Sequence, residues 1–218
     1  MPLDSIMLTL MLFSIKTILI SNLVTLKFGG VWIMNTEKFD LVVKFNSSNK
    51  DNAGSLFDIN EQVDAIGGID EIEGVLTLRD PELYIKESES LDVVLVELGT
   101  DSLEAAKLIR NSKPRIVSTV IPIERVVKTD LREIVRNLKE LALKEMEPGD
   151  DFTVETSVVS HKTLESTDIL EKVEDELKEI NMNFDETDPK WKIYVEVIGD
   201  NTGLNILKSE ESTVCMTS

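Results

Sequence analysis

The sequence predicts an α+β protein built from two small units, and three observations support this fold class. Apolar residues recur at every second position in several short runs, which is typical of half-buried strands. Between these runs, apolar residues recur at every third or fourth position behind acidic capping residues, which indicates amphipathic helices. A β-branched run at residues 115–130 then leads directly into a helix start at Asp130. Strands and helices therefore alternate on both sides of this run, which joins the two units.

The composition limits the classes of partner and site. The chain has 218 residues and a formal net charge of −18, with 41 acidic and 23 basic residues. Net repulsion from phosphate excludes a protein that coats nucleic acid without specificity, so any RNA contact must be local. Cys215 is the only cysteine and His161 the only histidine. The sequence therefore excludes a disulfide framework and metal sites built from thiolates or several histidines.

Residues 1–33 form an apolar extension that has two interpretations. The window Ile6–Leu26 is nearly long enough to span a bilayer, although Lys16 lies in its middle. A charge there costs roughly 2 to 4 kcal/mol. Alternatively, a purine-rich ribosome-binding site translated by mistake would encode the residues just before Met34. We expect the natural protein to start at Met34, so that residues 1–33 are a start-site artefact and membrane association would require residues 6–26 to be genuine.

The first unit, residues 34–113, is expected to be a ferredoxin-like domain. Its Gly67-Gly68 pair is a typical helix stop, and Asp101 with Glu104 forms a capping box. The predicted elements are a strand at Phe39–Phe45, a helix at Leu56–Ile66, strands at Ile72–Leu78 and Leu91–Leu98, and a helix at Leu103–Asn111. With the strand that follows Pro114, the order is βαββαβ, which is the ferredoxin-like order.

The second unit, residues 114–208, repeats the alternation of helices and strands. Its first helix has a capping box at Asp130 and Glu133 and ends at Pro148-Gly149. The later elements are a strand at Phe152–Val159, a helix capped by Asp168 and Glu171, a strand at Trp191–Ile198, a turn at Gly199–Gly203 and a strand at Leu204–Leu207. Residues 209–218 are polar, and we expect them to form a disordered tail.

Four stretches of the second unit resemble the THUMP domain family. They are VIPIERVVKTDLREI at Val120–Ile134, EPGDDFTV at Glu147–Val154, YVEVIGD at Tyr194–Asp200 and LNIL at Leu204–Leu207. The resemblance covers residues 114–208 and implies a THUMP domain with a small mixed sheet. A ferredoxin-like unit in front of the domain is usual in that family.

The resemblance also implies a function and partners. THUMP domains bind structured RNA, chiefly tRNA near its acceptor end, and are normally fused to a catalytic domain. A stand-alone chain of this length is most similar to the archaeal and eukaryotic adaptor class, which presents tRNA to a separate cytidine acetyltransferase. We therefore expect a cytoplasmic, non-catalytic tRNA-binding adaptor.

Motifs for catalysis are absent from the sequence. It contains no glycine-rich phosphate loop, no GxGxxG after a strand, no HExxH and no nucleophile with a placed histidine. We expect neither enzymatic activity nor a cofactor. An RNA-modifying enzyme would need a cofactor pocket, of which the sequence gives no sign.

Seven residues are candidate phosphate ligands. Five lie on or just before the helix that begins at Asp130, and the last three of these recur at i, i+4 and i+7 along one line. The other two lie in the loop at residues 155–163, which the resemblance implies faces the RNA. The candidates are Arg125, Lys128, Arg132, Arg136, Lys139, His161 and Lys162.

Two alternatives to an RNA-binding strip remain open. The helical cations could belong to a solvated face in which they pair with Glu133 or Glu140. Separately, the protein could be a degenerate THUMP scaffold that acts as a protein interaction module, whose acidic surface binds a basic partner and no RNA.

Overall fold

A computed structural model describes residues 38–46, 59–161 and 163–212, which form nine strands and four helices. The α+β class is confirmed. The extension at residues 1–33, with both of its interpretations, lies outside the described residues. None of the four helices formed by the described residues is long and apolar enough to cross a membrane. In chain order the elements are β1 (Leu41–Phe45), α1 (Ile59–Leu76), β2 (Tyr84–Glu87), β3 (Val93–Glu97), α2 (Ser102–Asn111), β4 (Val117–Pro122), β5 (Arg125–Lys128), α3 (Leu131–Glu145), β6 (Asp151–Val159), α4 (Ser166–Lys178), β7 (Asn183–Phe184), β8 (Trp191–Ile198) and β9 (Asn201–Lys208).

The first sheet has the strand order β2-β3-β1-β4, and all neighbouring strands are antiparallel. The run at residues 115–130 supplies β4 to this sheet and β5 to the next one. Nearly all residues of the two central strands are buried, as expected for strands covered on both faces. Helices α1 and α2 cover one face through Ile72, Leu76, Ala106 and Ile109.

Helix α1 is longer than the sequence predicts, and the predicted strand at Ile72–Leu78 is wrong. The helix continues through Gly67-Gly68 to Leu76, and the second strand of the sheet is β2 instead. Ile72 and Leu76 are four residues apart and both buried, so their spacing is helical rather than alternating.

The glycine pair allows close packing instead of ending the helix. A Cβ atom on Gly68 would lie 2.3 Å from Cε1 of Phe45, and one on Gly67 would lie 2.5 Å from Cδ1 of Ile116. Because any side chain at these positions would collide with its neighbours, α1 can approach the sheet closely only where it has glycine.

The second sheet is mixed and has the strand order β5-β9-β8-β6-β7. β6 runs parallel to both β7 and β8, whereas β9 is antiparallel to both β8 and β5. Helices α3 and α4 cover the face that carries Ile193, Val195 and Val197. The opposite face is also buried, because Tyr194 and Ile198 belong to the core of the first unit. The sequence predicted burial of only one face of β8.

The two sheets are joined across their second faces. Lys44 of β1 contacts Glu196 of β8, with Nζ in a hydrogen bond of 3.0 Å to Oε1 and 2.8 Å from Oε2. Burial raises the pKa of Glu196, and the Lys44 ammonium opposes this effect. The Asn205 amide donates to the Pro122 carbonyl at 2.7 Å. The first and second units are therefore packed into a single body.

The helix caps agree with the sequence at two of three helices. Asp101 accepts a hydrogen bond from the Glu104 amide, and Asp130 accepts from the amides of Arg132 and Glu133. The predicted cap of α4 by Asp168 and Glu171 is wrong. That helix begins at Ser166, and Glu165 at the N-cap position makes no side-chain cap hydrogen bond. Asp168 lies in the first turn, where its charge interacts favourably with the helix dipole.

The end of β8 and the residues after β9 also differ from the sequence prediction. Gly199 has a φ of 55°, which permits a tight turn, so that β9 begins at Asn201 rather than at Leu204. Residues 209–212, which the sequence placed in a disordered tail, form a turn in which the Ser209 amide donates to the Lys190 carbonyl at 3.0 Å. Residues 213–218 lie outside the described residues.

We expect Gly68→Ala to destabilise the protein, although alanine is the better helix former by about 1 kcal/mol. The added methyl group would collide with the buried Phe45 ring, and such overpacking typically costs about 1–3 kcal/mol. The matched control is Gly74→Ala in the same helix, where a Cβ atom meets nothing within 4 Å and should stabilise. Urea unfolding measures both changes, and equal shifts for the two variants would contradict the prediction.

Asp80 connects two turns of the first unit, and its contacts predict a pH effect. The buried carboxylate accepts hydrogen bonds of 2.8–3.0 Å from the Glu82, Gly99 and Thr100 amides and the Thr100 hydroxyl. Burial alone would raise the pKa of Asp80, but these hydrogen bonds outweigh burial and hold the pKa below its usual value. The carboxylate therefore stabilises the fold above the unfolded pKa of about 3.9, and this stabilisation is lost as the pH falls below it.

Asp80→Asn should consequently lower stability at neutral pH and reduce the loss of stability in acid. Urea unfolding between about pH 7 and pH 3 should give a shallower pH dependence for the variant than for the wild type. The control is Asp70→Asn, which changes an exposed carboxylate on α1. Parallel curves for the wild type and Asp80→Asn would show that Asp80 has no such role.

Candidate functional site

Several loops and helix starts meet at one end of the strands of the second sheet. β5, β6 and β8 run in the same direction, so their last residues reach the same edge. Lys128, Asn201, Ile198 and Val159 are neighbours in register across four strands. At about 4.8 Å between strands, the backbone of Lys128 lies roughly 14 Å from that of Val159. We call this region, with residues 128–132, 159–161 and 199–200, the strand-end edge.

Lys128 and Arg132 are the free cations of the strand-end edge. Both side chains are exposed, and neither forms an ion pair with any other residue that the structure describes. Lys128 ends β5, and Arg132 lies in the first turn of α3, where the Asp130 carboxylate already caps the backbone amides. A phosphate at this edge would therefore meet charged side chains rather than the helix N-terminus.

His161 lies at the same edge, two residues beyond the end of β6. Its Nδ1 atom accepts a hydrogen bond of 3.1 Å from the Leu164 amide. Because Nδ1 is the acceptor, the neutral ring carries its proton on Nε2, which leaves an N–H donor for a ligand. Lys162 lies outside the described residues.

The other three candidate cations are held by neighbouring groups. Arg125 donates from Nη1 to Asn137 Oδ1 and Glu140 Oε2, both at 2.8 Å, and thereby links β5 to α3. Arg136 pairs with Glu133 one turn earlier on its own helix.

Lys139 faces α4 and is held by two of its carboxylates. Its ammonium lies 3.1 Å from Glu176 and 3.6 Å from Glu179, so it links α3 to α4. The hydrogen bond to Glu176 raises the pKa of Lys139, which therefore stays charged. The structure thus divides the six candidates that it describes into Lys128, Arg132 and His161 at one edge and three cations engaged along α3.

The described residues contain no group of three or more His, Cys, Asp or Glu side chains that could hold a metal ion.

The sequence gave no indication of the Lys44–Glu196 pair, because Glu196 occupies a position that alternation assigned to solvent. Only the tertiary contact between the sheets reveals it.

Comparison with known proteins identifies part of the chain. Residues 128–207 match the family model of the THUMP domain, which confirms the resemblance for this range. The match begins at the last residue of β5 and ends one residue before the end of β9. No curated protein sequence matches the chain.

Solved structures with a similar fold are longer than this chain. The protein PH1313 from Pyrococcus horikoshii is similar with a TM-score of 0.56 and 17% identity over 78% of this chain and 55% of that one. TrmN from Thermus thermophilus has a TM-score of 0.49 and 14% identity over 78% and 45% of the two chains. A 4-thiouridine synthetase in complex with RNA and ATP has a TM-score of 0.46 and 14% identity over 78% and 41%. The chain therefore spans about half of each of these structures, and the likeness to PH1313 is one of fold.

We expect Arg125→Ala to reduce stability and Lys128→Ala, three residues further along the same strand, to leave it nearly unchanged. The first change removes hydrogen bonds to the buried Asn137 and to Glu140, which should lower the free energy of unfolding by about 1 kcal/mol. The second removes an exposed, unpaired cation and should change it by less than about 0.5 kcal/mol. Chemical denaturation of both variants checks this, and the reverse order would contradict the division of the cations.

Proposed function

We propose that this protein is a non-catalytic, cytoplasmic tRNA-binding protein that binds its RNA at the strand-end edge and assists a separate tRNA-modifying enzyme. The observation that carries the proposal is the THUMP match at residues 128–207, a range that contains the free cations Lys128 and Arg132. The resemblance favours a cytidine acetyltransferase as the enzyme. We also assign the first unit to the ferredoxin-like class, because its elements follow the order βαββαβ with the sheet order β2-β3-β1-β4.

The chemistry of the strand-end edge suits the phosphate backbone of RNA. Lys128 and Arg132 can each neutralise a phosphate, and His161 can donate an N–H from Nε2 to a phosphate or ribose oxygen. Contacts to phosphate and sugar fix the position of an RNA and carry no sequence information. We therefore expect recognition of the shape and backbone of a folded RNA rather than of its sequence.

The acidic surface makes this binding local and sensitive to salt. The THUMP range contains twice as many acidic as basic residues. Each phosphate contact releases a condensed counterion and therefore weakens as salt rises. Binding by this protein alone should be weak at physiological salt, and contacts from a partner enzyme to the same tRNA would add to it.

The same charge distribution favours a second function, which is that of a protein interaction module. Exposed acids recur at Glu171 and Asp175 of α4 and at Glu179 just after it, of which Glu179 also lies 3.6 Å from Lys139. A basic partner protein could bind this face without any RNA. On this alternative the cations at the strand-end edge would be irrelevant to binding.

We expect Lys128→Glu combined with Arg132→Glu to lower the affinity for tRNA about tenfold or more. The double variant replaces two phosphate ligands by repulsive charges, and each lost contact should reduce the slope of log K against log salt by roughly 0.7–0.9. Filter binding of tRNA at several salt concentrations between about 50 and 200 mM measures both quantities.

The matched control is Arg79→Glu combined with Lys208→Glu. It makes the same change in charge, but Lys208 pairs with Trp191 at the opposite edge of the second sheet, and Arg79 follows α1 in the first unit. A control variant that weakens binding as much as the test variant would attribute the effect to net charge alone. Wild-type binding that is no tighter for tRNA than for an unstructured RNA, or independent of salt, would remove the proposed function and favour the interaction module.

A further inference from the structure

The strand β2 and the turns on either side of it carry three of the five large apolar side chains that are exposed among the described residues. They are Leu78, Tyr84 and Leu91, which lie within fourteen positions of the chain. Leu78 is 96% exposed, and Tyr84 is 47% exposed although it begins a strand. Single exposed apolar residues are ordinary, but a concentration of them indicates a contact surface for another molecule.

β2 lies at the edge of the first sheet. It pairs with β3, and no other strand in the described part of the chain lies on its second side. Every second residue of an antiparallel edge strand directs its backbone N–H and C=O away from the sheet, which provides a template for one more strand. β2 is therefore open to strand addition by a partner.

Lysine on an edge strand usually opposes such pairing, but Lys86 is folded back over the sheet. Its Nζ atom lies 3.2 Å from Glu97 Oε2 on β3 and donates to the Lys38 carbonyl at 2.9 Å. The same ammonium lies 5.8 Å from the centre of the Tyr84 ring. Because this contact holds the ring in place before a partner arrives, binding loses less side-chain entropy at Tyr84.

The surroundings of β2 are acidic. Residues 80–104 contain eight acidic residues, and Lys86 is their only basic one. Glu82, Glu87 and Glu89 are exposed, and none of them forms an ion pair with a cation in the ranges that the structure describes. Such a surface repels RNA, and it repels a second copy of this chain, which would bring the same acidic strand. It attracts a basic polypeptide.

We propose that β2 is a docking strand for another protein, which adds an extended segment rich in basic and apolar residues to the open edge. The backbone of that segment pairs with β2, an apolar side chain packs against Tyr84, and basic side chains contact Glu87 and Glu89. This inference goes beyond the proposed function, because it concerns a protein partner and uses no residue of the strand-end edge. It also differs from the alternative function at α4, which lies in the second unit.

The test uses the full chain and a fluorescent synthetic peptide of about ten residues in which valine and lysine alternate. Fluorescence anisotropy measures its affinity, and we expect saturable binding. A peptide with glutamate in place of lysine should bind at least about tenfold more weakly, because the charges then repel. A peptide with proline in place of its two central valines keeps the charge but cannot pair as a strand, and it should bind at least about fivefold more weakly.

Two variants of the protein locate the contact. Glu87→Lys combined with Glu89→Lys should weaken peptide binding about tenfold or more, because it replaces attraction by repulsion. The matched control is Glu171→Lys combined with Asp175→Lys, which makes the same change in charge at exposed positions of α4. Tyr84→Thr keeps a residue that favours strands but removes the ring, and it should weaken binding at least about threefold. The melting temperature of each variant checks its fold.

Hydrogen–deuterium exchange of the wild-type protein gives a readout that needs no variant. Bound peptide should slow the exchange of backbone amides in β2 and leave those of α4 unchanged. Absence of binding, protection confined to α4, or equal weakening by the β2 and α4 variants would overturn the proposal. A dimer that the β2 variants dissociate would assign the edge to a second copy of the chain and overturn it too. The tRNA titration is a separate measurement, so failure of the proposed function leaves this result unaffected.

Discussion

The contact between the two sheets is the constraint on which the rest of the structure depends. β8 is buried on both faces, because α3 and α4 cover one face and the first unit covers the other. Lys44 and Glu196 meet inside this contact, and a carboxylate so deeply buried needs its cation nearby. Separating the units would expose apolar surface on both. The strand-end edge and the first unit therefore belong to one packed body, which a flexible linker between two independent domains would not give.

Pairing with carboxylates decides which cations remain for a ligand. Arg125 and Lys139 contact carboxylates on neighbouring elements, so using them to bind phosphate would first break contacts that hold α3 in place. Lys128 and Arg132 carry no such cost. Since salt screens charges beyond about 8 Å under physiological conditions, a phosphate at this edge responds mainly to its nearest neighbours. The net charge of the whole chain then affects the approach of an RNA more than its final contacts.

The sequence could predict those elements whose signals are local. The capping box at Asp130 and the apolar stripe behind it define α3, an apolar run defines β3, and the alternation of apolar residues defines β8. The extent of α1 was missed because Gly67-Gly68 has the same local signature whether it ends a helix or lets one pack closely, and only the Phe45 ring distinguishes the two cases. The free cations could not be told from the paired ones for a similar reason. Lys139 forms its hydrogen bond with Glu176, which lies 37 residues further along the sequence. The spacing of residues along one helix cannot predict a partner on another helix.

On the proposed function, a small number of exposed cations on an acidic body would also make RNA binding selective. An RNA that approaches α4 meets its outward carboxylates and is repelled, so most orientations are unfavourable. On the proposed function, binding is favourable only for an RNA whose backbone reaches Lys128 and Arg132 without passing over that helix. A compact folded RNA with its phosphates on a curved surface can do this, whereas a flexible single strand must also be ordered along the same path. Repulsion from most of the surface thus selects the shape of the ligand, and the few free cations determine where that shape is held.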